Sequence, residues 1–149
     1  MRAVVQRVLE ASVNADSRVV ASIGKGMLAL IGLHRDDEEK DMEYIAEKLL
    51  NIRIFQDSND AMNLSVKDIH GELLIVSQFT LYGDARKGRR PSFSDAMPPD
   101  KAFQKYNDFL KLCIEKYAKI KSGIFGAMMD IALVNNGPVT IMLDSRRNF

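Results

Sequence analysis

Two neighbouring stretches of this chain carry side chains spaced as if for chemistry. Ser77-Gln78-Phe79-Thr80-Leu81 ends the apolar run Leu73-Leu74-Ile75-Val76 with two hydroxyls and an amide. It opens into a loop, Tyr82 to Phe93, that contains Arg86-Lys87-Gly88-Arg89-Arg90. Polar groups at the end of a rigid strand, beside a cationic loop, combine precision with access for an anionic substrate. The competing reading is that Ser77 and Thr80 only satisfy backbone groups where the strand stops.

A hydroxyl becomes a nucleophile when a base is placed beside it, and the sequence offers little of that kind. His34 and His70 are the only histidines, and neither stands at metal-ligand spacing from a cysteine or another histidine. No G-x-S-x-G elbow, Walker loop or dinucleotide fingerprint occurs, so neither a metal nor a cofactor is expected. Thr80 and Thr140 are internal, and neither can use its own α-amine as the base. Covalent catalysis by a side chain is therefore not supported. Asn135-Asn136-Gly137-Pro138 is a third stretch of interest. As structure it reads as a tight hairpin turn with positive φ; as function it would present rigid backbone to a ligand.

The elements that must position these groups follow from periodicity. Met1–Val8 reads as a strand, and Ala11–Asn14 with Arg18–Ile23 as a hairpin around Ala15-Asp16-Ser17. Met27–Leu33 is a short apolar run bounded by glycine, which predicts a strand buried on both faces. Asp36-Asp37-Glu38-Glu39 suits a helix N-terminus better than a metal site. Met42, Ile45, Ala46, Leu49 and Leu50 supply the apolar face behind it. Ile52–Phe55, a short segment at Met62–Leu64 and Glu72–Phe79 read as strands. Pro98-Pro99-Asp100 starts a second helix whose stripe is Ala102, Phe103, Tyr106, Leu110, Cys113, Ile114 and Tyr117. Two β-rich segments, Met128–Val134 and Val139–Leu143, flank the Asn-Gly-Pro turn. The expected fold is a single α/β domain spanning 1–149, with a mostly antiparallel, barrel-like sheet and two amphipathic helices.

Composition limits the partners. With 149 residues and a net charge of +1, binding to a polyanion must come from a local patch; the candidates are the loop at Arg86–Arg90 and, near the C-terminus, Arg146-Arg147. Cys113 is the only cysteine and lies on the helix stripe, so it reads as a buried structural thiol. No run is long enough to span a bilayer, and the N-terminus lacks the apolar core of a signal peptide. A reducing, cytoplasmic location and no membrane partner are expected.

The motifs gain meaning in combination. Val5-Gln6-Arg7-Val8 with Ala11-Ser12-Val13, Ser77–Leu81, Lys87–Phe93, Gly123-Ile124-Phe125-Gly126-Ala127 and Asn135–Thr140 together resemble the D-aminoacyl-tRNA deacylase family over essentially the whole chain. An animal branch of that family carries Pro-Gln-Ala-Thr-Leu at the first site motif. Serine and phenylalanine here look like the principal bacterial and eukaryotic type.

The resemblance implies hydrolysis of the ester joining a D-amino acid to the terminal adenosine of tRNA, by a homodimer. It implies a cis Gly137-Pro138 bond that enters the partner protomer's site and excludes L-amino acids. Glycyl-tRNA, with no side chain to exclude, should then also be cleaved. The family places backbone N–H groups of Phe79 and Thr80 at the scissile carbonyl, with Ser77 and Gln78 orienting them and the ribose 2′-hydroxyl activating water. Met129 is placed at the adenosine, and Asn135 and Thr140 among the substrate-binding residues. Arg86, Lys87, Arg89 and Arg90 read two ways, as a grip on tRNA phosphates or as a solvated loop with an arginine bonded internally to fix it. Three alternatives stay open: Thr80 as nucleophile, a non-catalytic RNA-binding module, and a general small-ester hydrolase.

Overall fold

The computed structural model describes residues 1–149. Its organising strand is β1, Arg2–Ala15, which is one element where the sequence suggested two. Ala3, Val5 and Arg7 are buried in alternation, the phase slips at Val8, and Ala11, Val13 and Ala15 resume it. The slip coincides with register irregularities against the last strand, and the chain stays extended because that strand pairs with both halves. A turn with positive φ at Asp16 and Ser17 leads to β2, Arg18–Ile23. This is the turn geometry that suits the right-handed twist of a hairpin. After Gly24-Lys25, β3 (Gly26–Gly32) continues along the same edge of β1, with Val8 opposite Gly26 and Arg2 opposite Gly32.

Two crossovers follow. Helix α1, Glu39–Asn51, and a small ribbon of β4 (Phe55–Gln56) with β5 (Met62–Leu64) lead to β6, Glu72–Ser77. Of the expected strand at Ile52–Phe55, only Phe55 joins a ladder. β6 lies parallel to β3, and after α2, Pro99–Lys116, β7 (Ile120–Ser122) lies parallel to β6. The sheet is thus antiparallel around β1 and parallel on its other side, in the order β2-β1-β3-β6-β7. It curls into a nearly closed barrel. Lys121 Nζ reaches the Ser22 carbonyl at 2.6 Å, and the Gly24 N–H reaches Glu72 at 2.7 Å. Gly26 permits the close approach of β3 to β6, since a Cβ there would lie 1.8 Å from the Glu72 carbonyl oxygen.

β8, Asp130–Asp144, corrects the expectation of a hairpin at Asn-Gly-Pro. Its two halves pair with β1, not with each other, and the intervening residues bulge out between the Gln6–Thr140 and Val8–Asn135 pairs. Long-range pairing along β1 overrides the local turn preference of Asn-Gly.

Alternation along β3 and β6 divides the core. Met27, Ala29, Ile31, Leu73 and Ile75 face the helices, joining Ile45, Leu49, Tyr106 and Phe109. Leu28, Leu74 and Val76 face the barrel interior with Val8, Val13 and Ile23. Phe109 is fully buried although it lies off the expected stripe of α2, whereas Phe103 and Ile114 on that stripe are half exposed. Asp37, expected in the helix start, instead holds the Met1 ammonium at 2.6 Å with both groups fully buried. Glu38 and Asp41 form the capping box of α1. Arg146 reaches Asp37 at 3.7 Å, and Arg147 stacks on Tyr44, which ties that pair of arginines to the fold. No helix is long and apolar enough to cross a membrane.

Candidate active site

The strand end at Ser77 behaves as an abrupt but well-held stop. Gln78 extends the β3–β6 pairing by one bond, its N–H donating to the Ile31 carbonyl at 2.7 Å. The chain then tightens into a 3-10 helix over Phe79–Tyr82. Its first closing bond runs from Leu81 N–H to the Gln78 carbonyl at 3.3 Å, and Gly83 N–H caps it on the Thr80 carbonyl at 2.9 Å. Arg2 reinforces it from β1 by donating to the Leu81 carbonyl at 2.9 Å. The N–H groups of Phe79 and Thr80 belong to the first turn, where no preceding carbonyl of the helix can accept them. They are two adjacent donors fixed on a braced backbone.

Beside them opens a cavity of about 760 Å³. Ser77, Gln78 and Phe79 form one wall, Phe93, Ala96–Pro98 and the start of α2 a second, and Phe125–Met129 a third. Met129 is part of that wall, and its sulfur accepts the Ile124 N–H at 3.4 Å. No His, Asp, Glu, Lys, Arg or Cys lines the cavity. Its one titratable side chain is Tyr106, whose hydroxyl donates to the Ile75 carbonyl at 3.2 Å; burial pushes its pKa far above the ordinary tyrosine range. No three His, Cys, Asp or Glu side chains converge anywhere to hold a metal ion.

Thr80 itself is exposed and lies outside the cavity wall. Its hydroxyl oxygen accepts a bond from Gln78 Nε2 at 2.5 Å. An amide N–H cannot take a proton, so this contact orients Thr80 without activating it.

The Gly137-Pro138 bond is cis, and Gly137 has φ +122°. The bulge around it is clasped from within. Asn135 accepts the Val139 N–H at 3.0 Å and donates to the Val139 carbonyl at 3.1 Å. Thr140 receives Gln6 Nε2 at 3.3 Å. Arg7, buried and given no role of its own in the sequence reading beyond its place in the opening-strand motif, donates to the Asn136 carbonyl at 3.0 Å and to the Ile54 carbonyl at 2.6 Å. The signal was available: Arg7 stands in the inward phase of Ala3 and Val5. None of Asn135, Gly137, Pro138 and Thr140 lines this cavity.

The basic loop divides by its bonding. Arg86 is committed internally, pairing with both carboxylate oxygens of Asp84 at 2.9 and 2.7 Å. Those hydrogen bonds hold the Asp84 carboxyl far below the usual range. Lys87, Arg89 and Arg90 are exposed and make no ion pair within the chain.

Comparison with known proteins bears on this geometry. The family model described as D-Tyr-tRNA(Tyr) deacylase matches residues 4–144. A D-aminoacyl-tRNA deacylase of Thermosipho africanus is 54% identical and one of Clostridium acetobutylicum 52% identical, each alignment covering 100% of both chains. Among solved structures, a protein called c-Myc DNA Unwinding Element Binding Protein is 42% identical, with a TM-score of 0.92 over 97% of this chain and 98% of that one. A second, described as a probable eukaryotic D-amino acid tRNA deacylase, shares the fold with a TM-score of 0.81 at 20% identity, over 96% of this chain and 98% of that one.

Proposed function

Because this chain belongs to the D-Tyr-tRNA(Tyr) deacylase family, we propose that its cavity receives the 3′-terminal aminoacyl-adenosine of D-aminoacyl-tRNA and cleaves the ester with main-chain groups. The activity is the family's: hydrolysis of the ester bond of D-aminoacyl-tRNA. The observation that carries the mechanism is the cavity wall, which holds no side chain able to act as a base near neutral pH. With no such base, the substrate's own ribose 2′-hydroxyl serves as the proton relay, taking the attacking water's proton while passing its own to the departing 3′-oxygen. The tetrahedral intermediate then needs its oxyanion held. The paired N–H groups of Phe79 and Thr80 suit that role, and one such donor is worth roughly 10²–10³ in rate. Ser77 and Gln78 orient the aminoacyl group, and Met129 packs against the adenosine.

Chirality is read at Cα by backbone, because an enzyme serving many D-amino acids cannot use a snug side-chain pocket. The Gly137-Pro138 turn supplies that reader to the cavity of a second copy of the chain. Its position outside the cavity of its own protomer supports the exchange. The exposed Val134 and Met142 of β8 and Leu9 of β1 offer apolar surface for a homodimer. Asn135 and Thr140 serve substrate binding through the turn they hold. Lys87, Arg89 and Arg90 contact tRNA phosphates without reading sequence.

Deacylation of tRNA charged with D-tyrosine, L-tyrosine or glycine tests this reading. Release from the D-tyrosyl and glycyl esters, with the L-ester intact, is the expected result. Equal D and L rates would sink the chiral reader. Loss of at least tenfold when the terminal ribose lacks its 2′-hydroxyl, on the order of the 10²–10⁴ that positioned proton transfer contributes, separates substrate assistance from general esterase chemistry. Salt-sensitive binding without turnover would leave only an RNA-binding module.

A further inference from the structure

We infer that Phe93 is a positioning residue that couples the basic loop to the Phe79 backbone. The inference rests on the roles proposed above for that backbone and that loop. Two observations carry it. The loop is closed at its base by a reciprocal pair of backbone bonds, Asp84 N–H to Ser92 carbonyl at 2.7 Å and Ser92 N–H to Asp84 carbonyl at 2.9 Å. The Asp84–Arg86 pair stiffens the same base, so the basic residues between ride on a clamped frame.

Phe93 follows that clamp directly and turns into the cavity wall. Its ring meets Phe79 edge to face, with centroids 5.1 Å apart and planes at 67°. It also packs on Gly83, where a Cβ would stand 3.0 Å from the Phe93 ring. The glycine that ends the 3-10 helix thereby lets the ring lie against the helix backbone. No other aromatic ring pairs with Phe79. A phosphate gripped by Lys87 or Arg89 thus pulls on a frame whose next residue braces the donor at Phe79. Small displacements matter, because misplacing a reacting geometry by about 1 Å can cost on the order of 10²-fold in rate.

The test is a double-mutant cycle read as kcat and KM on D-tyrosyl-tRNA. The proteins are the parent, Phe93→Ala, the pair Lys87→Gln with Arg89→Gln, and the combination. Phe93→Ala should lower kcat about tenfold, the upper range for an aromatic pair, with KM little changed. Phe93→Tyr, which keeps the ring, should restore most of it. Neutralising Lys87 and Arg89 should raise KM and lower kcat modestly. In the Phe93→Ala background the KM rise should persist while kcat falls no further. Phe79→Leu breaks the same contact from the other side and replaces Phe93→Ala should that variant fold poorly. A kcat for Phe93→Ala within about twofold of the parent, against the several-fold expected for the pair, overturns the inference. Multiplying kcat losses with a raised KM overturn the coupling alone. An unchanged KM in the Lys87/Arg89 variant overturns the tRNA-contact reading and the coupling with it.

Discussion

Buried Arg7 on β1 donates to the Asn136 carbonyl at 3.0 Å, one residue before the Gly137-Pro138 bond, and so sets where that turn projects. The same guanidinium holds the Ile54 carbonyl at 2.6 Å, linking the turn to the chain after α1. Hydrogen bonds to a charged group contribute about 1.5–3 kcal/mol each. Arg7→Gln is therefore expected to destabilise the fold by roughly 2–5 kcal/mol, since two such bonds are weakened. Arg7→Lys should recover only part of this, because an ammonium lacks the planar fork that serves two carbonyls at once. Urea unfolding of the three proteins measures the ranking. Equal stability of Arg7→Lys and the parent would remove the fork from the account.

Thr80 offers a second test. Its oxygen accepts from Gln78 at 2.5 Å, and that amide N–H cannot take its proton. Thr80→Ala should keep activity within about a factor of five, the loss expected for one neutral hydrogen bond of about 1 kcal/mol. Rapid-quench kinetics should show no burst and no acyl-enzyme. The pH–rate profile of the parent should likewise lack a histidine or carboxylate inflection between about pH 5.5 and 8, the interval where such a base would titrate. A bell in that range would point to a titrating side chain brought in from elsewhere.

Much of this arrangement was legible where local periodicity governs. The strands at Met27–Leu33 and Leu73–Val76 were readable because residues on both faces are apolar, and α1 because Met42, Ile45, Ala46, Leu49 and Leu50 all turn inward. The strand end at Ser77–Thr80 was visible for the same reason: polarity changes there within one residue. What escaped was long-range. Asn136-Gly137 favours a local reversal, yet β1 offers both halves of β8 a longer ladder. Phe103 looked like core because it is apolar and in phase, but it stands half exposed and pairs with Phe125 beside the cavity at 5.6 Å. The cavity walls come from segments that meet only in three dimensions, so no spacing along the chain announces them.

Cys113 tests the buried core behind the site. It is fully buried on α2, and burial pushes its thiol from an ordinary 9.0 up to about 12. Alkylation at pH 8 should therefore proceed only through unfolding and slow as stability rises. The sign of the pH effect follows from the raised value. The unfolded thiol ionises first, so this group's contribution is intact below about pH 9 and is lost as pH climbs towards about 12. Cys113→Ser should cost more than Cys113→Ala, because burying an unpaired hydroxyl costs about 1–3 kcal/mol. Urea midpoints compare the two, and iodoacetamide labelling in the native state at rates near those of a free thiol would contradict the burial.

The basic loop makes the sharpest division among like residues. Arg86 commits its guanidinium to Asp84, whereas Lys87 and Arg89 are exposed and outside any ion pair. Replacing either Lys87 or Arg89 by Gln should raise KM for aminoacyl-tRNA and flatten its dependence on log salt by about 0.7–0.9 for each phosphate no longer neutralised. Arg86→Gln should leave that slope closer to the parent's, because the group removed already has its counterion at 2.7 Å. Its effect should appear instead as loosening of the loop base, read by faster amide exchange at Asp84 and Ser92, whose N–H groups close it. A salt slope that fell equally for all three variants would mean that the Asp84–Arg86 pair opens when tRNA binds. Both side chains of that pair are accessible, so its own attraction is weak in water. What keeps Arg86 from the substrate is geometry: it donates to Asp84 through its backbone N–H, its Nε and its Nη2 together. Giving up the two guanidinium bonds to grip one phosphate is the exchange that the measured slope would expose.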